Sequence, residues 1–268
     1  MLSANCLTGK GPLPCALFPE RILLARKVPS PVPQMKRALA KTFAASAAAA
    51  LLLSGCSLLE GDDDTEDGAI DDPIYNEIAT WDACEVLDYL KPIEEKMGIV
   101  GWGSSSSEGG EPGNSELGNT WDPGAIGCND LIYLGNLEGM GMSGEIKVKI
   151  VPTPNMDDSD MIYEDRVSVA EAKAAENENA NTEEFTGSWD RGAVVSWTGS
   201  SEQPHVWVVA QSGQWVFHID LYYSSDFGVR NNGDPALLFT EDELNQWFVD
   251  TYLPEVNQTV NDRLAELL

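Results

Sequence analysis

The chain has 268 residues, of which 44 are acidic and 16 are basic, and its formal net charge is −28. A field of this sign repels phosphate backbones, and the basic footprint that nucleic-acid binding requires is missing, so the composition excludes nucleic acid as a partner. The same field would push the protein away from an anionic membrane surface, so attachment to a membrane needs a separate device.

Residues 35–55 have the order of a secretory signal peptide, with a positively charged segment, an apolar run and then small residues. The apolar run extends over residues 42–53. About a dozen apolar residues are too few to cross a bilayer, which needs roughly 20. We therefore predict a cleaved signal peptide, and a buried Ala/Leu helix is the alternative. The charges before the run are those of Lys36, Arg37 and Lys41.

The segment before this signal, residues 1–34, has no pattern of its own. Met35 stands where a signal peptide would naturally begin. We expect residues 1–34 to be a non-native upstream extension, which is set aside in reasoning about the fold.

The run Leu53-Ser54-Gly55-Cys56 resembles the lipobox of bacterial lipoproteins. The resemblance implies cleavage before Cys56 and acylation of its sulfur, which would leave this thiol unavailable for a disulfide. Two acyl chains, such as palmitate, hold a protein on a membrane far better than one. A lipid-anchored, extracytoplasmic location at the cell membrane is thus implied. Residues 56–72, which are acidic and poor in apolar side chains, are expected to form a flexible tether.

Two cysteines, Cys84 and Cys128, follow Cys56. In an oxidising compartment we expect them to form one disulfide. The bond would close a loop of about 44 residues and stabilise the fold by roughly 3 to 4 kcal/mol. A catalytic thiol is a weaker alternative, and no cysteine and histidine cluster has the spacing of a zinc site.

Residues 73–268 are predicted to form a single α+β domain. A helix should open at Asp82, with Glu85 at capping-box spacing, and end or kink at Pro92 before a second short turn through Met97. Residues 101–124 are rich in Gly and Ser and predict a disordered loop or a flap. Two strands should follow, "AIGCNDLIYLGN" and "GEIKVKIVPTP". Lys147 and Lys149 share a face of the second strand, which favours an exposed face or a guarded edge over an anion site.

The later part of the chain predicts a helix, an antiparallel meander and closing helices. The helix covers residues 160–177, and a connector follows over residues 182–192. Three β-rich runs, "AVVSWTG", "HVWVVAQ" and "QWVFHIDLYY", predict an antiparallel meander that packs one face on helices. A capping box at Thr240 opens the next helix, which Pro254 should break. This order predicts an α+β fold, with an antiparallel sheet packed against helices.

The motif "WDACEVL", the later "IGCND" and the aromatic C-terminal meander resemble a group of actinobacterial cell-envelope lipoproteins of unknown function. Those proteins open with a D-P-C-x-L-L-type helix that is disulfide-bonded to a later G-C-x-W strand. The resemblance implies a secreted, disulfide-bonded and anchored module, and it implies no reaction.

Two residues, His218 and Asp220, lie on one face of the last strand, and Ser196 could lie across the sheet from them. This would sketch a Ser/His/Asp arrangement, although the GxSxG motif of a nucleophile elbow is absent. An exposed polar face of a half-buried sheet is the plainer interpretation.

Three tryptophans, Trp197, Trp207 and Trp215, could form a stacking platform for sugars or other flat ligands, or belong to the core. A calcium site is a further alternative in the acidic loop "NMDDSDMIYED", but the loop lacks the glycine and the spacing of an EF-hand. Its candidate ligands are Asp157, Asp158 and Asp160.

The sequence thus predicts a secreted, lipid-anchored lipoprotein that acts as a binding or interaction module of the cell envelope. An unknown envelope protein or a small ligand would be its partner, and no cofactor is expected. The alternative is an envelope hydrolase or carbohydrate-acting enzyme that uses the face of His218 and Asp220.

Overall fold

The computed structural model describes residues 72–104, 106–116 and 122–266. Four predicted features lie outside the described residues: the upstream extension, the signal peptide, the lipidation site at Cys56 and the tether up to residue 71.

Three short helices begin the described part of the chain. Asp82 caps the second of them by accepting a hydrogen bond of 3.0 Å from the backbone N–H of Glu85, as its position predicts. The predicted second turn through Met97 is present as the third helix. Pro92 lies in its first turn, so the break in the helical path falls just before this proline, at residues 88–90. The three helices are α1 (Pro73–Ile78), α2 (Ala83–Val86) and α3 (Lys91–Met97).

Eight strands form one sheet in which all neighbours are antiparallel, in the order β1-β3-β4-β8-β7-β6-β5, with β2 also paired to β3. With the helices, this confirms the α+β fold. The strands are β1 (Gly101–Trp102), β2 (Gly113–Glu116), β3 (Ile126–Leu137), β4 (Met140–Pro152), β5 (Glu178–Phe185), β6 (Arg191–Thr198), β7 (Pro204–Ser212) and β8 (Trp215–Tyr223).

Two predictions of irregular structure were wrong. The Gly- and Ser-rich stretch from residue 101 to 124 contributes β1 and β2, because partners along β3 satisfy backbone groups that the stretch could not satisfy by itself. The supposed connector over residues 182–192 contains the second half of β5 and the start of β6. Strand β5 is polar and exposed, so it lacks the apolar alternation from which a strand is recognised.

The acidic stretch around Asp157 was predicted to be a loop, but it forms the start of a helix. Helix α4 (Met156–Ala175) begins at Asn155, whose side chain accepts a hydrogen bond from the N–H of Asp158. Carboxylates in a first helical turn interact favourably with the helix dipole, which explains why this stretch tolerates helix formation.

The C-terminal helices are α5 (Phe227–Arg230), α6 (Glu241–Trp247) and α7 (Leu253–Ala265). The capping box predicted between Thr240 and Glu243 is present in both directions. Pro254 does not break the helical path, contrary to the prediction. A π-helical segment (Phe248–Tyr252) joins α6 to α7 and places the proline in the first turn of α7, where a missing N–H costs little.

The sheet separates two unequal cores. Helices α1, α2, α3, α6 and α7 cover one face, where Ile146, Val148 and Phe217 lie in the main hydrophobic core. Helix α4 covers part of the other face and packs on β6, β7 and β8. It leaves the end of that face beyond its C-terminal turn uncovered, and the candidate site lies there.

The predicted disulfide between Cys84 and Cys128 is present and joins α2 to β3. Both half-cystines are buried in the main core. The disulfide therefore links the N-terminal helices covalently to the sheet.

None of the helices in the described ranges combines the length and apolar character that a membrane crossing requires.

Candidate functional site

The candidate site is a cleft of about 370 Å³ on the α4 face of the sheet, which we call the α4-side cleft. Its floor is built from two rows of side chains that run across four adjacent strands. Because paired residues of antiparallel strands point to the same side, the register decides which side chains meet. The outer row is Glu145, Tyr222, His205 and Trp197, and the inner row is Lys147, Asp220, Trp207 and Val195.

Aromatic rings pack tightly in the outer row. The rings of Trp197 and His205 stack with an interplanar angle of 5° and centroids 5.1 Å apart, and Tyr222 lies 5.5 Å from His205. Gly199 permits this packing, since a Cβ at that position would lie 2.7 Å from Nε2 of His205. The result is a continuous aromatic strip along the outer row.

The inner row is polar at its centre. The indole N–H of Trp207 donates a hydrogen bond of 2.7 Å to Oδ1 of Asp220. Lys173, in the last turn of α4, places its ammonium 4.0 Å from the centroid of the same indole ring, a cation–π contact. Trp207 thus has one charged partner at its edge and another over its face.

Acidic and basic groups meet at the open end of the cleft. Nζ of Lys147 lies 3.0 Å from Oε1 of Glu145, and this hydrogen bond raises the pKa of the lysine although burial lowers it. Burial raises the pKa of the Tyr222 hydroxyl, with Glu145 adding to the shift. Glu176, after the end of α4, adds a further carboxylate. The cleft therefore offers hydrogen-bond donors and acceptors of both charges.

The sequence suggested that the lysines of β4 lie on an exposed face or guard an edge of the sheet. They do not guard an edge. Strand β4 lies between β3 and β8, so Lys147 and Lys149 are on an interior strand, and both are half-buried. Burial lowers the pKa of Lys149, and the nearby Arg166 lowers it further. Five of the nine basic residues that follow Cys56 lie on this side of the sheet, namely Lys147, Lys149, Arg166, Lys173 and Arg191.

The sequence predicted an exposed face for His218. In the structure this residue lies next to the inner row, on the side covered by α4, and is buried. Its side chain is 4% exposed, and neither ring nitrogen has a hydrogen-bond partner. Burial, together with the positive charges of Lys149, Arg166 and Lys173, lowers its pKa to about 3. The imidazole is therefore neutral and packs edge-on against Trp207 at 5.0 Å.

The proposed Ser/His/Asp arrangement does not exist in this fold. Ser196 pairs with Val206, which belongs to the main core, so it lies on the face opposite to His218. Asp220 shares the strand face of His218 but is bonded to Trp207. No serine, threonine or cysteine in the described residues forms a hydrogen bond with the imidazole.

The tryptophan platform is also divided. Trp197 and Trp207 meet at 6.0 Å in the cleft, whereas Trp215 lies on the opposite face and packs against Trp189 at 4.9 Å. Trp197 is 4% exposed and Trp207 is 6% exposed. These two rings are thus the walls and floor of the cleft, and most of their faces are already covered by His205 and Lys173.

The acidic residues suggested for calcium do not converge. Asp158 is bonded to the cap residue Asn155, and Asp160 is bonded to Arg191 and Gln211. Asp157 is exposed on the first turn of α4. Within the described ranges, no group of three or more histidine, cysteine, aspartate or glutamate residues has the placement of a metal site.

Sequence reasoning missed Glu145, Lys173, His205 and Tyr222 as cleft residues. The alternation of β4 and β8 indicates that the polar side chains of each strand share a face. It does not reveal that β4 pairs with β8, nor that the last turn of α4 ends over Trp207, because both depend on contacts between distant parts of the chain.

Comparison with known proteins finds no family model that matches the chain, no similar curated protein and no similar solved structure. The likeness to actinobacterial envelope lipoproteins therefore stays a prediction.

Proposed function

We propose that this protein is a lipid-anchored, extracytoplasmic lipoprotein of the cell envelope, and that it binds a small polar ligand in the α4-side cleft. The anchor would be the acylated Cys56, and the acidic segment after it would hold the folded part away from the membrane. The alternative within the same proposal is that the protein binds another envelope protein instead of a small ligand.

Two features support an extracytoplasmic location. The order of charges, apolar residues and Leu53-Ser54-Gly55-Cys56 is that of a lipoprotein signal. The disulfide between Cys84 and Cys128 belongs to an oxidising compartment.

The observation that carries the binding function is the convergence of charged groups at an aromatic cleft. Lys147, Glu145 and Asp220 lie on three adjacent positions of the sheet surface, and α4 adds Lys173. A ligand with both donor and acceptor groups, such as a hydroxylated or zwitterionic molecule, would match this lining. Small-molecule sites use a few placed polar groups to fix the orientation of a ligand, and in this cleft such groups lie beside the aromatic strip.

The hydrolase alternative has less support. A general base needs a pKa near the working pH and must reach the proton that it takes. His218 is buried, has a pKa lowered to about 3, and is separated from Ser196 by the sheet. The cleft is therefore better suited to holding a ligand than to cleaving one.

The anchor is tested by labelling cells of the native host with radioactive palmitate. We expect label in the wild-type protein and none in a Cys56→Ser variant, which should accumulate uncleaved. Replacing both Cys84 and Cys128 by serine is the matched control, because it removes the other cysteines that follow Cys56 and should leave the labelling unchanged. Labelling of the Cys56→Ser variant would disprove the anchor at this position.

Ligand binding is tested by thermal unfolding of the full-length protein with peptidoglycan fragments, amino sugars and amino acids. A ligand that binds only the folded state raises the unfolding midpoint. At a ligand concentration of 100 times the Kd, the free energy of unfolding increases by about 2.7 kcal/mol. Lys147→Met should reduce the shift, and Lys91→Met, at an exposed lysine on α3, should not. If none of these compounds shifts the midpoint, the small-ligand form of the proposal fails, and capture of an envelope protein becomes the remaining one.

A further inference from the structure

The opposite face of the sheet carries a second surface, a groove between the edge strand β5 and helix α6. It consists of two adjoining hollows of about 310 and 470 Å³ that share Asp242. We call it the acidic groove. It lies on the main-core side, because its strand residue Glu183 pairs with Val194 of that core, and it is thus distinct from the α4-side cleft.

All charged side chains that line the acidic groove are carboxylates. Burial and the neighbouring Asp242 raise the pKa of Glu241, although a hydrogen bond with Ser196 opposes the shift. A cation in the groove would relieve this mutual repulsion. The carboxylates are Glu183, Glu184, Glu241, Asp242 and Asp250.

A buried amide points independently to a ligand that donates hydrogen bonds. Asn245 lines the groove, is 8% exposed, and its Oδ1 atom is buried without a hydrogen-bond partner. A buried acceptor left unpaired costs free energy that a donor from a ligand would recover. Phe185 and Val249 supply an apolar patch next to this amide.

The third feature is the free edge of β5. In the described part of the chain, β5 ends the sheet and pairs only with β6. A register shift interrupts the pairing between Glu178 and Asn181, so the regular stretch of the strand is residues 181–185. Such an edge can accept one more strand through its backbone groups.

We propose that the acidic groove binds an extended, basic peptide segment of a partner protein, which adds to the edge of β5 and places arginine or lysine side chains among the carboxylates. The charges decide between occupants. A second copy of this chain would bring Glu183 and Glu184 against their own equivalents, and like charges on paired strands are destabilising. A basic segment turns the same charges into attraction.

The test uses the full-length protein and a capped nine-residue peptide of alternating arginine and threonine at low ionic strength. Binding is measured by calorimetry. The triple variant Glu183→Gln, Asp242→Asn, Asp250→Asn should weaken binding by about tenfold, the effect of losing three exposed ion pairs. The matched control, Glu95→Gln, Asp157→Asn, Asp262→Asn, removes three exposed carboxylates elsewhere, one of them also in a first helical turn. It should leave the affinity unchanged within about twofold.

Two further measurements separate groove binding from general charge attraction. The same peptide with alternate backbone nitrogens methylated cannot complete a strand ladder and should not bind. Asn245→Leu should lower the peptide affinity severalfold while leaving the protein folded, since it removes an unpaired acceptor from the interior.

The proposal is overturned if the peptide does not bind, if the control triple variant weakens binding as much as the groove variant, or if the methylated peptide binds as well. It is equally overturned if sedimentation shows a dimer that the groove variant changes, because the occupant of the edge would then be a second copy.

Discussion

The indole N–H of Trp207 and the Oδ1 atom of Asp220 are joined by a hydrogen bond of 2.7 Å at the centre of the α4-side cleft. The two residues are direct partners across β7 and β8. Trp207 is nearly buried, and Asp220 is half-buried. The hydrogen bond therefore holds together the aromatic and the charged residue at the centre of the inner row of the cleft.

We expect Asp220→Leu to destabilise the protein by about 1 to 3 kcal/mol, because it leaves the indole N–H without its acceptor. Trp207→Phe in the Asp220→Leu background should then add less than it does alone. Urea unfolding followed by far-ultraviolet circular dichroism gives the coupling energy from the four variants. As a control, Trp102→Phe lies on the other face and should be additive with Asp220→Leu. A coupling energy near zero for Trp207 and Asp220 would show that the bond contributes nothing.

The buried His218 makes stability depend on pH. Its pKa is about 3 in the folded protein, against 6.5 for the free side chain. Between these values the unfolded chain binds a proton that the folded protein does not, so stability falls as the pH falls, by about 1.4 kcal/mol per pH unit. The groups that face the imidazole are Lys149 of β4 and Arg166 and Lys173 of α4.

We therefore expect His218→Leu to be more stable than the wild type at pH 5 and to lose this part of the slope between pH 4 and 6. Urea unfolding at each pH measures the difference between the two proteins. His205→Leu, at the half-buried histidine, is the comparison and should keep the contribution of His218. An unchanged slope in His218→Leu would mean that the imidazole is protonated or hydrated in the folded state.

Asp226 holds together the loop around α5. Burial raises the pKa of its carboxyl, but hydrogen bonds from four backbone N–H groups outweigh this and lower the pKa below 3.8. Asp226→Ala should cost about 1 to 3 kcal/mol through the loss of this acceptor. The donors are Gly228, Val229, Ala236 and Leu237.

The sign of the acid dependence follows from the lowered pKa. Asp226 contributes its full stabilisation above about pH 4, and this is lost as the pH falls through the pKa of the folded state. Asp226→Ala should therefore differ most from the wild type at neutral pH and least in strong acid. Asp234→Ala, an exposed carboxylate of the same loop, should show neither effect. If the free energies of unfolding of the wild type and Asp226→Ala differed by the same amount at all pH values, the stabilisation would not depend on an ionised Asp226.

The disulfide should be the largest single covalent contribution to stability. Replacing both Cys84 and Cys128 by alanine should lower the free energy of unfolding by about 4 kcal/mol, the value for a loop of 44 residues. Reductant should lower the stability of the wild type similarly and leave the double variant unchanged. A wild type that is insensitive to reductant under unfolding conditions would contradict the bond.

Features that depend on near neighbours in the chain were predictable. The caps at Asp82 and Thr240 come from side chains that reach a backbone N–H three residues on. The meander over residues 191–223 shows in alternating apolar residues and a tight turn. These signals are complete within a few residues, so they survive without knowledge of the rest of the fold.

Elements that take their stability from distant partners were not predictable. Strand β5 has only two apolar residues, Ala180 and Phe185, and exists because β6 supplies its backbone hydrogen bonds. Ser196, considered as a possible neighbour of His218, lies on the opposite face because the register of β6 with β7 puts it there. A shift of one residue would have reversed that assignment, since side chains alternate with a period of two.

The sequence by itself determined the α+β class, the apolar faces of β4 and β8 and the one cysteine pair of residues 72–266. The tertiary structure alone decided that β4 lies beside β8, that α4 ends over Trp207, and that the acidic groove faces away from the cleft. The physical reason is that periodicity and capping are local properties of the chain. Register and strand order arise from hydrogen bonds and packing between segments that the sequence keeps far apart.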